Sequence, residues 1–173
     1  LWTLTSREVG RFFKVYRQTV IPGLISSVLY ILIFGFTLEQ RISSIEGISY
    51  TIFIIPGLIM MNTLTNASSN PSSSLLQMKL TGQVPDLMQA PLSSLEISLA
   101  FIVGGVVRGV VNGILILLIG MWIGGMEVLY PIATIGFIFV VSIAFSSMGL
   151  LLGQLADTWD QLATMQNFFL TPL

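Results

Sequence analysis

Long apolar runs alternate with short polar stretches along the chain, and that alternation predicts membrane helices. Residues 1–19 with the following Val20 place Val9, Phe12, Phe13, Tyr16 and Val20 at helical spacing, with Arg7, Arg11, Lys14 and Arg17 on the other side. An aromatic face opposite a basic face suits the headgroup boundary and predicts an interfacial helix. Apolar runs then cover 20–38, 50–66, 97–123 and 130–152, and 161–173 reads as the start of a fifth. A bilayer needs ~20 residues, so the third run implies tilt or projection beyond the membrane. Pro22 predicts a joint between the surface helix and the first run. Pro56-Gly57 predicts a kink in the second. A polar loop with Glu39, Arg41 and Glu46, a turn with Gly124, Gly125 and Glu127, and a loop with Asp157 and Asp160 separate the runs.

The second run grades into the polar tract NTLTNASSNPSSS. Asn62, Asn66, Asn70 and Ser73 recur there at helical spacing. They would either line a polar path or cap a helix leaving the bilayer. Pro71 is expected to break the helix, which favours capping for Asn70 and Ser73. Residues 68–96 then read as a segment outside the membrane. Within it, TGQVPDLMQAPLSSLE (81–96) predicts a turn at Gly82, a short helix from about Pro85, and a stop at Pro91. Ser93 or Ser94 would cap the next helix, with Glu96 in its first turn. Leu87, Met88 and Leu92 are apolar positions available for docking. The alternative is a plain connector whose apolar residues dip into the headgroups.

Composition agrees with a membrane chain. The sequence is 54% hydrophobic and 9% charged, against about 25% charged in soluble domains. Its mean hydropathy is +0.90. Cysteine and histidine are both absent, which excludes disulfides, the usual zinc sites and histidine acid–base chemistry. A net charge of −1 argues against nucleic acid. Neither lysine follows a glycine, so no phosphate-cradling G-x-x-x-x-G-K-[ST] loop exists. The basic residues ahead of the first run place the N-terminus on the cytoplasmic side, and with it 68–96 and the Asp157/Asp160 loop. The chain opens at Leu1 and closes in FFLTPL, so it reads as a fragment of a longer membrane protein.

Arg108, in GGVVRGVVNG, lies deep in the third run. A central arginine costs about 2.5–3.5 kcal/mol on insertion scales and normally faces protein or water. Gly104 and Asn112 are one turn away. Arg108, Asn112, Asn62 and Asn66 thus form a candidate translocation path or intramembrane polar network. A structural ion pair or bonds to neighbouring carbonyls would serve equally well. Gly105, Gly109 and Gly113 make two G-x-x-x-G units that favour close helix packing, within the chain or to a second copy. Ser142, Ser146, Gly149 and Gly153 make a similar stripe.

The run NPSSSLLQMKLTGQVPDLMQAPLSSLEI resembles the cytoplasmic segment of ABC-2 type transporter permeases. The family pattern is N-P-S-S-S-L, a lysine and a glycine, then D-L-[LM]-x-[AS]-P-[LM]-[ST]-x-x-E. The matching positions are Asn70 to Leu75, Lys79, Gly82, Asp86 to Met88, Ala90 to Ser93, and Glu96. REVGRFFKVYRQTVIPGLISSVLYILIFG and GLLLGQLADTWDQLATMQNFFLTPL also resemble this family, so the likeness covers nearly the whole chain. It is nearest to bacterial inner-membrane exporters of the multidrug and nodulation-factor type. The resemblance implies an all-α polytopic bundle of six spans, of which the rest of the fifth, an outer re-entrant piece and the sixth are expected beyond Leu173. It implies a second permease copy as a homodimer, surrounding lipid, and a separate nucleotide-binding ATPase that holds ATP and Mg, with no cofactor on this chain and no enzyme activity of its own. It also implies that 68–96 is a coupling segment, with Gly82, Asp86, Leu87, Met88, Ala90, Pro91, Leu92 and Glu96 facing the ATPase. The rival is an ion-gradient-driven transporter or channel, which often carries acids inside its spans. Here the acids lie in loops or near span ends. A membrane-embedded enzyme would need a carboxylate site, and the carboxylates are scattered.

Overall fold

The computed structural model describes residues 1–35, 37, 47 and 49–170. The loop with Glu39, Arg41 and Glu46, the end of the first apolar run, and 171–173 lie outside those residues. The elements are α1 (Trp2–Lys14), α2 (Tyr16–Tyr30) running into a π-helical turn at Ile31–Gly35, α3 (Tyr50–Leu80), α4 (Val84–Gln89), α5 (Ser94–Gly124), α6 (Pro131–Leu155) and α7 (Trp159–Leu170). No strand occurs among the described residues. Tyr16–Gly35, α3, α5 and α6 are each long and apolar enough to cross a membrane.

Helices α3, α5 and α6 pack against one another as the centre of the bundle, and α1 lies against α5. One core joins Ile31, Ile55, Ile59, Ile116, Leu117 and Ile138. At the other end of the bundle, Met78, Phe101 and Leu150 form a second. The outside is apolar too: Trp122 is 86% exposed and Ile132 88%. Water would not tolerate such a surface, whereas lipid would.

The structure departs from the sequence expectations at three places. First, the helix does not break at Pro71. Helix α3 runs unbroken to Leu80 with Pro56 and Pro71 inside it, so Asn70 and Ser73 are not caps. The hydroxyls of the tract do not draw the helix out to water. Thr63 donates to the Ile59 carbonyl at 2.7 Å, Ser69 to Thr65 at 2.7 Å and Ser72 to Ser68 at 2.8 Å. Each satisfies itself on the turn behind and leaves a small surface for a neighbouring helix. The carbonyl freed by Pro71 is that of Ala67, four residues back. It faces Gly105 so closely that a methyl built there would lie 2.6 Å from it.

Second, the joint between surface helix and span is at Val15 (φ −107°, ψ 16°), not at Pro22, which lies inside α2. Third, α1 splits its aromatic face between the bundle and the outside. Leu4, Glu8 and Phe12 are buried at i, i+4 and i+8, while Phe13 and Tyr16 are exposed. Phe13 and Tyr16 stay outside, where the interfacial reading puts them, while Phe12 and an acid go into the bundle.

Candidate functional site

The 81–96 segment is rigidly built. Gly82 sits at φ +70°, and the Gln83 N–H donates to the Met78 carbonyl at 2.9 Å across the end of α3. Such a left-handed closure favours glycine. Helix α4 follows, with Pro85 in its first turn. Ala90 leaves it in extended geometry (φ −67°, ψ 144°) before Pro91. A capping box opens α5: the Glu96 N–H donates to Ser93 Oγ at 3.3 Å and the Ser93 N–H to Glu96 Oε2 at 2.8 Å.

The apolar residues of this segment divide into two groups. Leu87 packs on the Met78, Phe101 and Leu150 cluster, and Leu92 is half-buried. Met88, 76% exposed, and Leu95, 75% exposed, point outward. Asp86 and Pro91 are also exposed, whereas Ala90 and Glu96 are half-buried. Leu95 escaped the sequence reading because it falls after the serine cap. An apolar residue in the exposed first turn of a helix was the signal that could have found it.

Two side chains brace the segment. Lys79 Nζ donates to the carbonyls of Gln154 at 3.0 Å and Ala156 at 2.6 Å and pairs with Asp157 Oδ1 at 2.8 Å. It closes the end of α6 and ties it to α3. Arg7 Nη2 donates to Gln83 Oε1 at 3.1 Å, joining α1 to the turn before α4. Lys79→Met should lower stability by about 1 kcal/mol and speed amide exchange at 154–157. Thermal unfolding in detergent with hydrogen-exchange mass spectrometry reads both, and unchanged exchange there would contradict the brace.

The polar residues within the spans form a chain. Arg108 Nε donates to Asn66 Oδ1 at 3.1 Å, Asn66 Nδ2 to the Asn62 carbonyl at 3.0 Å, and Asn62 Nδ2 to Ser27 Oγ at 3.0 Å. It crosses from α5 through α3 to α2. Asn112 stays apart: it is buried, and its Nδ2 donates to the Arg108 carbonyl of its own helix at 2.8 Å. Beside the chain lies Arg11, whose Nη2 donates to the Asn70 carbonyl at 2.9 Å. Burial pulls the Arg11 guanidinium below its ordinary value, and Glu8 opposes this. Glu8, fully buried, was missed from the sequence. Its nearest cation is Arg11 Nε at 3.9 Å, and neither carboxylate oxygen receives a hydrogen bond among the described residues.

Gly105, Gly109 and Gly113 face two helices at once. Cβ atoms built on them would meet Ala67 and Thr63 of α3, and Ser146, Ser142 and Ile138 of α6. Gly149 and Gly153 of α6 lie against the backbone of Ser68 and Ser72. The glycine and serine stripes thus pack the three central helices of this chain together.

Four apolar crossing helices, small-residue seams and a braced segment between two of the spans define a polytopic helical membrane protein. Its family is given by comparison. The ABC-2 type transporter family model matches residues 1–173. The chain is 35% identical over 173 residues to the inner membrane transport permease YadH of Escherichia coli, covering 100% of this chain and 68% of that protein. It is 22% identical over 174 residues to nodulation protein J of Bradyrhizobium diazoefficiens, covering 99% of this chain and 66% of that one. No solved structure is a significant match. The chain belongs to the ABC-2 type transporter family, as a membrane transport permease of the ABC type.

Proposed function

We propose that this chain is the membrane-spanning part of an exporter in the bacterial inner membrane, driven by ATP that a separate subunit binds with Mg and hydrolyses. In this reading the ATPase seats on residues 81–96 and moves them, and the spans switch between inward and outward access. The observation that carries it is the outward pair Met88 and Leu95 on a braced segment. Two large apolar side chains held outward there are available to a partner's surface. The lack of a phosphate-binding loop fits a division of labour between subunits. Gly82, Lys79 and the Ser93 cap would carry motion into α3, α6 and α5. Asp86, Leu87, Ala90, Pro91, Leu92 and Glu96 shape the seat.

In this reading the N-terminus is cytoplasmic, which the basic residues of α1 and its junction support. A second permease copy completes the transporter, and Asn62, Asn66 and Arg108 supply the intramembrane polar network beside the path, with Asn112 bonded to its own helix one turn along. Relatives named as an inner membrane transport permease and a nodulation protein support the location and class.

Purification from its native host tests this. The full-length permease should bring down an ATPase carrying a Walker motif, and substrate flux in vesicles should stop when ATP is depleted. Flux that survives ATP depletion but collapses with the ion gradient would overturn the proposal in favour of a secondary transporter.

A further inference from the structure

Two guanidinium groups and one carboxylate lie close enough to feel one another's charge where α1, α3 and α5 pack. Arg11 sits 3.9 Å from Glu8 and 3.4 Å from Ser73 Oγ. Arg108 uses Nε on Asn66, and among the described residues no carboxylate comes within ion-pair distance of it. The cluster therefore holds one positive charge more than its acid balances. An amide oxygen supplies a dipole, not a counter-charge. A cation at this depth in a low-dielectric setting calls for an anion.

Arg108 opens onto a cavity of about 310 Å³. One part of its wall is polar: Thr19, Ser69, Ser73 and Gln166. The rest is apolar, from Leu162 and Ala163, with the half-exposed Trp159 also on the lining. Gln166 is itself fixed, its Nε2 donating to Ser72 Oγ at 2.8 Å. The three hydroxyls donate to backbone carbonyls of their own helices, Thr19 to Val15, Ser69 to Thr65 and Ser73 to Asn70. The donors left for an oxyanion are the Nη groups of Arg108, whose Nε alone is engaged, and the second Nε2 hydrogen of Gln166, and a charged fork of this kind suits phosphate. The apolar wall beside it matches a hydrocarbon tail. The volume lies at the lower end for ligand pockets, so it suits a headgroup whose tail stays outside.

We propose that this cavity binds the phosphate of an anionic membrane amphiphile, with Arg108 as its counter-charge and the tail leaving past the exposed Ala163 and Trp159. The inference rests on the reading of Arg108 as part of an intramembrane polar path, and it names the chemical class that path admits. Inorganic phosphate shares the oxyanion but not the tail.

The full chain in neutral detergent, titrated with short-chain phosphatidylglycerol or phosphatidylcholine and read by native mass spectrometry, tests it. The wild type should prefer phosphatidylglycerol by about tenfold, the contribution of a charge-assisted contact. Arg108→Gln should bring the two lipids to parity, and Arg108→Lys should keep most of the preference. Ala163→Trp, at an exposed position, should fill the cavity and abolish the preference while leaving Arg108 in place. This keeps the test decisive if Arg108→Gln fails to fold. Inorganic phosphate should compete poorly; full displacement of the lipid by phosphate would overturn the amphiphile in favour of a free anion. Equal binding of both lipids by the wild type, or a preference that survives Ala163→Trp, would overturn the site. No nucleotide is present, so a failure here leaves ATP-driven transport standing, and a failure of ATP coupling leaves this binding intact.

Discussion

Gly105→Leu should leave little folded protein. At Gly105, a single methyl would already collide with Ser146 Oγ, lie 2.6 Å from the Ala67 carbonyl oxygen and 2.9 Å from Pro71 Cδ. Two of those three contacts cannot turn away, because one is backbone and the other is a proline ring. Ordinary overpacking costs about 1–3 kcal/mol when neighbours can shift. Here α3 and α6 would both have to move off α5, so the cost should be about 3 kcal/mol or more. Gly136→Leu is the matched control: nothing lies within 4 Å of its Cβ position, and it should melt like the wild type. The readout is the monodisperse fraction in detergent and the unfolding temperature. Equal melting of Gly105→Leu and wild type would refute the three-helix seam.

The membrane character of the fold was legible because it rests on run length and hydropathy, which neighbours do not alter. The fate of 62–74 was not. A polarity count treats serine, threonine and asparagine as seeking water, yet inside a helix Thr63 and Ser72 satisfy their hydroxyls on their own backbone. The same residues then become the small surface that glycine seams need. Pro71 misled for a related reason. Its cost was judged from an isolated helix, whereas here the freed carbonyl is covered by Gly105. In α1 the aromatic residues suggested one face at the headgroup boundary, but Phe12 goes into the bundle while Phe13 stays outside, because a helix between protein and lipid has two apolar environments. The choice between them depended on α5, which no local pattern encodes. The Ser93 and Glu96 cap was legible because it is a purely local arrangement. The direction of Leu87 was not, since a helix of 6 residues has too few positions to define a face.

The inward turn of Leu87 makes it a poor probe of coupling. Leu87→Asp would put a carboxylate against Met78, Phe101 and Leu150, so a loss of transport there would report damage to the fold. Met88→Asp with Leu95→Asp avoids this. Both side chains are about three-quarters exposed, at 76% and 75%, and exposed substitutions usually change stability by under about 0.5 kcal/mol. If the pair anchors the ATPase, each removes a buried contact and adds a charge that must be desolvated. Hot-spot losses run to about 2 kcal/mol or more apiece, and tenfold in affinity is about 1.4 kcal/mol. The double variant should therefore insert and melt like the wild type, yet lose its ATPase by at least about a hundredfold in affinity and lose transport with it. Affinity capture of the ATPase alongside the melting curve separates the outcomes. Normal capture and transport by a stably folded double variant would mean that the motor seats elsewhere, and that these two side chains are held outward for lipid alone.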